Sequence, residues 1–490
     1  MKRTKRTSSS SMVVGEDDII SKLPDALIIH ILSFLPTEDA VRTSLLSKRW
    51  RPIWYSVPTL FFSKNTKWKQ GNEDKLFEFY NNCLKYRKNV KHLIVNSDIT
   101  SFKLDIDGYY QTSKAGFVDK WLGFAVENKV KEICLSIGQE DLDDDDDDVI
   151  DYSEICYCLP KILGNARYLT ILELNGVFLD TSYSFSFPSL KTLSMEDVYH
   201  LPTAKEDGVV KFLLGCPSLE RLWLHDYKFL GIDSHHRLQS LSLKFMEIVF
   251  ESFMNDAQIQ VEAMNLESLV VECNIFDMID FSSCKKIRNL SLIDVYIGNE
   301  YLSSFEALIS NIPLIENLVL SKCDLLQSEH LTISSLHLKS FHIKNCDYSD
   351  DGDEMKVVTI EHASKLAYIC YEGNLNFTIL MEPSNLLNGK IIIHKRLEDY
   401  GAKWFIDMLT FLVNLSCYWN SVTLEVANCK SLIWPKNLKN LNLCRYPLLN
   451  WKHLRVITDC KPEEESDLKE DLMWISPSLE TLSINEKVIF

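Results

Sequence analysis

The segment Leu169-Thr170-Ile171-Leu172-Glu173-Leu174-Asn175-Gly176-Val177 sets apolar residues at 169, 172 and 174. Leu172 and Leu174, separated by one residue, share one face of a short strand, while Leu169 packs the turn that enters it. The same apolar-x-x-apolar-x-apolar spacing recurs at Leu190-Leu193-Met195, Leu219-Leu222-Leu224, Leu238-Leu241-Leu243, Leu266-Leu269-Val271, Ile287-Leu290-Leu292, Ile315-Leu318-Leu320, Leu338-Phe341-Ile343 and Leu366-Ile369-Tyr371. From 172 to 369 the middle residues are 21, 29, 19, 28, 21, 28, 23 and 28 residues apart. One such strand cannot bury its apolar side alone, but a stack can, so this uneven period predicts a solenoid.

Weaker copies extend the pattern outward, at Val90-Leu93-Val95 and Val130-Ile133-Leu135 before it and at Leu438-Leu441-Leu443 and Leu479-Leu482-Ile484 after it. Helical returns are expected between strands, as at 209–214 and 305–309, with Cys216-Pro217 and Ile312-Pro313 stopping each return before the next strand. Cys216 reads as packing. The third position after the last strand residue varies among Val177, Tyr227, Asn274 and Cys323, so the repeats are irregular. From about 385 the register loosens, and Trp404, Phe405, Met408, Leu409, Phe411 and Leu412 form another helical stripe.

The chain begins differently. Residues 23–62 read LPDALIIHILSFLPTEDAVRTSLLSKRWRPIWYSVPTLFF, and Ile19, Ile20, Leu23, Leu27, Ile28, Ile31, Leu32 and Leu35 recur at three- and four-residue intervals. That is a helical stripe, with Pro24 suited to a helix start and Pro36 to its stop. Thr37-Glu38-Asp39 opens a second helix carrying Val41, Leu45 and Leu46, its acidic start matching the helix dipole. Two aromatics, Trp50 and Trp54, anchor a third short element, which Pro52 limits in length. A unit this small, with more apolar residues than one internal face needs, requires a neighbour or a partner.

In order and spacing, Leu23-Pro24, the Leu35-Pro36 break, Val41 with Ser44-Leu45, Ser47-Lys48-Arg49-Trp50 and the trailing Trp54 and Leu60 resemble an F-box over residues 18–62. The repeats resemble the irregular leucine-rich repeats of plant F-box proteins, and 474–482 resembles the FBD region that often accompanies them. The resemblance implies an α/β chain: an N-terminal three-helix F-box at 18–62, an irregular leucine-rich-repeat solenoid at 75–384, and divergent repeats or an FBD-like region at 385–490. It further implies docking on a Skp-family adaptor, and through it a cullin and a RING subunit of a ubiquitin ligase, while the repeats bind a target protein. The docking surface carried over from the motif is Leu23, Pro24, Leu27, Ile28, Ile31, Leu32, Leu35, Pro36, Val41, Leu45 and Trp50, with Lys48 and Arg49 adding charge at its rim. The competing reading is a repeat scaffold that binds a protein without delivering it for ubiquitination. A receptor with a small-molecule site between array and target is a third.

Composition narrows the other classes. With 490 residues, 46% hydrophobic and 25% charged, the chain reads as folded and soluble. A formal charge of -17 argues against nonspecific nucleic-acid binding. Nothing approaches 18 consecutive apolar residues, and Ser8 to Ser11 stand where a signal core would be, so no membrane or secretion signal is expected. The chain is expected in the cytoplasm, the nucleus or both, and Lys2, Arg3, Lys5 and Arg6 suit nuclear import. The 14 cysteines are too scattered for a disulfide framework, and Cys156-x-Cys158 lacks the partners of a zinc site. No cofactor is expected. G-x-S-x-G, P-loop and H-E-x-x-H motifs are absent, so no catalytic residues are assigned. The acidic runs at Asp141 with 143–148, at 350–354 and at 463–467 are expected as solvated loops.

Overall fold

A computed structural model describes residues 22–63, 73–90, 98–106, 112–137, 157–200, 206–230, 235–250, 258–274, 278–297, 299–323, 330–346, 356–375, 377–381, 387–394, 400–415, 419–439, 448 and 450–490. The leader, the Leu93-Val95 and Leu441-Leu443 copies, Cys156 and the acidic runs at 141–148 and 350–354 lie outside them.

Three short helical elements open the chain: α1 (Asp25–Leu32), α2 (Thr37–Arg42) and α3 (Trp50–Ile53). Pro24 and Pro36 stand as N-caps of α1 and α2, where a missing N–H costs nothing. After β1 (Thr59–Ser63) come α4 (Glu73–Val90), β2 (Ser101–Asp105), α5 (Ala115–Glu127) and β3 (Glu132–Ser136). β1 pairs with β2 and β2 with β3, all parallel, and this ladder continues strand by strand through Ile171–Asn175 and onward to Thr481–Ile484. Among the described residues the result is a sheet of 17 strands, the last an antiparallel hairpin strand, Lys487–Val488. Each parallel strand aims alternate residues at the core, as Leu172 and Leu174 or Leu318 and Leu320 do, these four at most 1% exposed. Returns run behind the sheet, including the helices Gly208–Gly215, Asn299–Ser310 and Ala402–Asn414.

A shared turn ends many of the strands. Gly176, Asp197, Asp226, Asp294, Lys322 and Asn345 each lie two residues past the second inward residue, and each has a positive φ, between 46° and 67°. Glycine, asparagine and aspartate tolerate that left-handed backbone best, which five of these six positions respect. The turn's amide still reaches the next strand, as Asp226 N does at the Val249 carbonyl (2.9 Å). The following residue then dives into the core: Val177, Val198, Tyr227, Val295, Cys323 and Cys346 are all buried. Cys323 and Cys346 donate their thiols to the carbonyls of Leu292 and Leu320 on the preceding strands.

Several expectations are corrected. Leu238-Leu241-Leu243 is one step out of place, because the sheet strand is Phe245–Val249, whose Met246 and Ile248 pair with Leu222 and Leu224 on one side and Leu269 and Val271 on the other. Leu241 is 69% exposed, and Leu243 takes the entering position instead. Leu438 sits in the four-residue helix Lys436–Lys439 rather than leading a strand. The late strands are entered by tryptophans, Trp419 ahead of Val422 and Leu424, and Trp451 ahead of Leu454 and Val456. Ile99 likewise leads into Phe102 and Leu104, and Val57 into Leu60 and Phe62, so the sheet begins inside segment 18–62. The acidic stretch 463–467 is not a loop throughout: Glu465 and Asp467 lie in the first turn of the helix Glu465–Ile475, where carboxylates favour the positive end of the dipole.

Helices close the first end of the sheet. Behind β1, Phe62 stacks on Tyr80 of α4 (4.3 Å between ring centres), and Phe77 stacks on Trp121 of α5 (5.2 Å), sealing the first layer of core. At the far end the final hairpin strand turns back on Thr481–Ile484. Among the described residues no helix is long and apolar enough to cross a membrane.

Candidate functional site

The three opening helices build their own small core from Ile28, Leu32, Ala40, Trp50, Ile53 and Val57. In α1 this leaves the other helical face outward, because Leu27 and Ile31 lie one position from Ile28 and one from Leu32, about 100° round the helix. Leu27, Ile31 and Leu35 are exposed, and so is Leu45, at 86%. Pro24 and Lys48 are also exposed, while Leu23, Pro36 and Val41 are half-buried. The proposed docking list therefore divides. Ile28, Leu32 and Trp50 are corrected from contact residues to core residues that hold the three helices together. Val41 packs inward, against the solenoid core.

Two exposed residues were missed. Phe34 is 72% exposed and Leu46 is 70% exposed, which adds two large apolar residues to those the segment leaves in water. Their helical spacing from Ile31 and neighbourhood to Leu45 were the available signals. Large apolar groups left together in water mark a surface meant to be covered. Arg49 has a different task from rim charge: its guanidinium donates to the Leu23 carbonyl (2.6 Å) and pairs with Asp25 (3.0 Å from Nε), tying the start of α3 to the start of α1.

This unit is fastened to the solenoid by polar contacts at buried atoms. The β1 amide of Phe61 donates to Thr37 Oγ1 (2.9 Å), and Thr37 is only 3% exposed. From α4, buried Arg87 donates to the carbonyls of Trp54 and Val57 (2.9 Å each) and also to Tyr55. These carbonyls lie where the short helix Trp54–Ser56 ends and its intrahelical bonding runs out, though that of Trp54 also accepts from the Val57 amide (3.3 Å). Burial lowers the Arg87 pKa to about 10, which still leaves it charged at neutral pH.

The second surface is the open face of the sheet, formed by the residues between the inward pairs. Trp223 and Phe245 meet there at 5.1 Å between ring centres on adjacent strands, and half-buried Val249, Val270, Ile293 and Val319 continue across the next strands. Toward the first strands the face turns acidic, with Asp105, Glu132, Glu173, Glu196 and Glu247 against Lys103 and Arg221. A cleft of about 230 Å³ opens there beside Phe61, Lys103, Cys134 and Glu173. Burial opposes the Glu132 charge, but Lys103 at 2.6 Å outweighs it and holds that carboxyl below its usual range. Cys134 is the reverse case, its thiol pushed far up by burial and by Glu173, so it stays protonated and a poor nucleophile. Cys216 is buried and Cys158 exposed.

Comparison with known proteins agrees with the helical unit and with the repeats. The F-box domain family model matches residues 20–62. The chain is 29% identical over 294 residues to an F-box/FBD/LRR-repeat protein of Arabidopsis thaliana, taking in 59% of this chain and 60% of that one. A second F-box/FBD/LRR-repeat protein of Arabidopsis thaliana is 25% identical, over 64% of this chain and 66% of the relative. An FBD-associated F-box protein from the same plant is 30% identical, over 42% and 39%. The chain thus spans between 39% and 66% of the length of these relatives.

Proposed function

Because the chain belongs to the plant F-box/FBD/LRR-repeat family, we propose that it is the substrate-recognition subunit of a Skp–cullin–F-box ubiquitin ligase. The observation that carries this reading is the exposed apolar surface of Leu27, Ile31, Phe34, Leu35, Leu45 and Leu46, presented by the segment that matches the F-box model. A Skp-family adaptor covers that surface and brings the cullin and RING subunits with it. The open face of the sheet takes the target, with Trp223 and Phe245 as rigid aromatic anchors of the kind that dominate interface energies. Ubiquitin transfer belongs to the associated subunits, and this chain supplies proximity. Its working compartment on this reading is the cytoplasm, the nucleus or both.

The test is a binding titration of the full chain with a purified Skp-family adaptor, wild type against a Leu45→Asp and Leu46→Asp double variant. Both residues are exposed, so the variant is expected to fold normally. Its affinity should fall at least about 30-fold, the loss of a hot spot of about 2 kcal/mol. Equal binding by both proteins, or by neither, rejects this docking surface and favours a scaffold that works without the ligase.

A further inference from the structure

Near the far end of the solenoid, two successive strands, Trp419–Val426 and His453–Ile457, deliver cysteines from the turns that follow them. Cys429, fully buried, opens the short helical turn Cys429–Ser431, and its amide donates to the Asp459 carbonyl (3.1 Å), which seats it against the neighbouring turn. Cys460 is the next residue of that turn. Glu464, immediately before the helix Glu465–Ile475, reaches back so that its Oε2 accepts from the Cys429 thiol (3.2 Å). The ligating atoms of Cys429, Cys460 and Glu464 all lie within 4.8 Å of one another. Ligands on a tetrahedral ion with bonds of about 2.0 to 2.3 Å are separated by roughly 3.3 to 3.8 Å, so this cluster is close to a coordination shell before any ion arrives.

We propose that Cys429, Cys460 and Glu464 form a zinc-binding site that staples the turns of two adjacent repeats at the carboxy-terminal end of the solenoid. Two thiols and one carboxylate suit zinc, since thiolate selects against calcium and magnesium, and the mixed set fits a tetrahedral ion with water in the fourth position. On binding, each thiol gives up its proton and one Zn²⁺ takes their place, releasing two protons to solvent; nothing is oxidised. Glu464 is positioned further by the Lys461 amide, which donates to its Oε2 (3.4 Å), and by Lys430, 3.8 Å from its Oε1. The inference is independent of which partners the two surfaces bind.

The experiment uses the reduced full-length chain after chelator treatment, titrated with zinc against a competing chromophoric chelator and separately with cobalt, whose thiolate charge-transfer absorption reports sulfur ligation. The expected result is one zinc per chain and a cobalt–thiolate band. Cys460→Ser, at a half-buried position and with its fold checked by circular dichroism, should weaken zinc binding at least about 100-fold, beyond the roughly 10- to 100-fold that losing an outer-shell partner costs. Glu464→Gln should keep the thiolate band and bind more weakly. Equal zinc binding by wild type and Cys460→Ser would place the metal on other cysteines, no binding by wild type would remove the site, and a Cys429–Cys460 disulfide in chain isolated with its thiols trapped would make the pair a redox cross-link; each of these overturns the proposal.

Discussion

Arg87 shows how one side chain can decide whether two parts of a molecule move together. Its guanidinium sits in a buried place where it donates to three backbone carbonyls at the end of the opening helices, those of Trp54, Tyr55 and Val57. Replacing it by Met keeps most of the volume and removes every one of those bonds. Arg87→Met should therefore lower stability by about 3 kcal/mol in urea unfolding, since hydrogen bonds to a charged group are worth about 1.5–3 kcal/mol and the carbonyls would stay buried. His200 makes a second prediction at this scale. Its Nε2 accepts from the Gly208 amide (2.8 Å) and its Nδ1 faces the Lys228 carbonyl (3.0 Å), an arrangement that needs the neutral ring. Burial lowers its pKa from the ordinary 6.5, and the opposing pull of Asp207 and the Lys228 carbonyl does not reverse it. The unfolded chain then binds more protons than the folded one below that ordinary value. Stability is full above it and falls as the pH drops through it, by up to about 1.4 kcal/mol per pH unit. A His200→Gln variant should show a flatter stability profile between pH 7.5 and 5.5, measured by thermal melting; an unchanged slope would show that the ring does not titrate this way.

At the scale of the element, repetition in the chain was readable wherever aliphatic residues marked the strand, and failed where something else filled the same place. Gly389 stands opposite Ile369 and Val422, where the other strands carry a large apolar residue. A Cβ there would lie 2.4 Å from both the Ile369 carbonyl oxygen and the Trp419 ring, so the indole has taken the missing side chain's space. Gly389→Val should overpack this layer, costing about 1–3 kcal/mol and shifting the fluorescence of buried Trp419; a neutral effect in both readouts would contradict the packing. No spacing rule reveals a repeat whose key residue is glycine. The misplaced copy at 238–243 failed for a different reason: Leu243 fits the template both as a last and as a first residue, and only pairing with Arg221–His225 and Ser268–Glu272 chooses between them. In α1 the apolar positions cover more than half the circumference, so composition alone could not separate Leu27 and Ile31 from Ile28 and Leu32. The small core supplied by Trp50 and Ile53 makes that choice.

The whole molecule joins an apolar helical surface to a long sheet with a mixed open face, and buried bonds cross the join. Thr37 bonds to β1, Arg87 bonds to the helix end, and Val41 packs into the solenoid core, so the opening helices also cover the first edge of the sheet. An uncovered edge would offer its free amides to other chains. A net charge of -17 adds solubility to a chain that leaves such large apolar residues in water. On the proposed function, these contacts would hold a target on the open face at a set place relative to a partner on Leu45 and Leu46. Hydrogen exchange of the full chain, with and without a Skp-family adaptor, tests that division of labour most directly. Protection should appear across residues 25–46, while the strands that carry Trp223, Phe245 and Val270 exchange as before. Protection of those strands by the adaptor, or none over the opening helices, would contradict the assignment of the two surfaces.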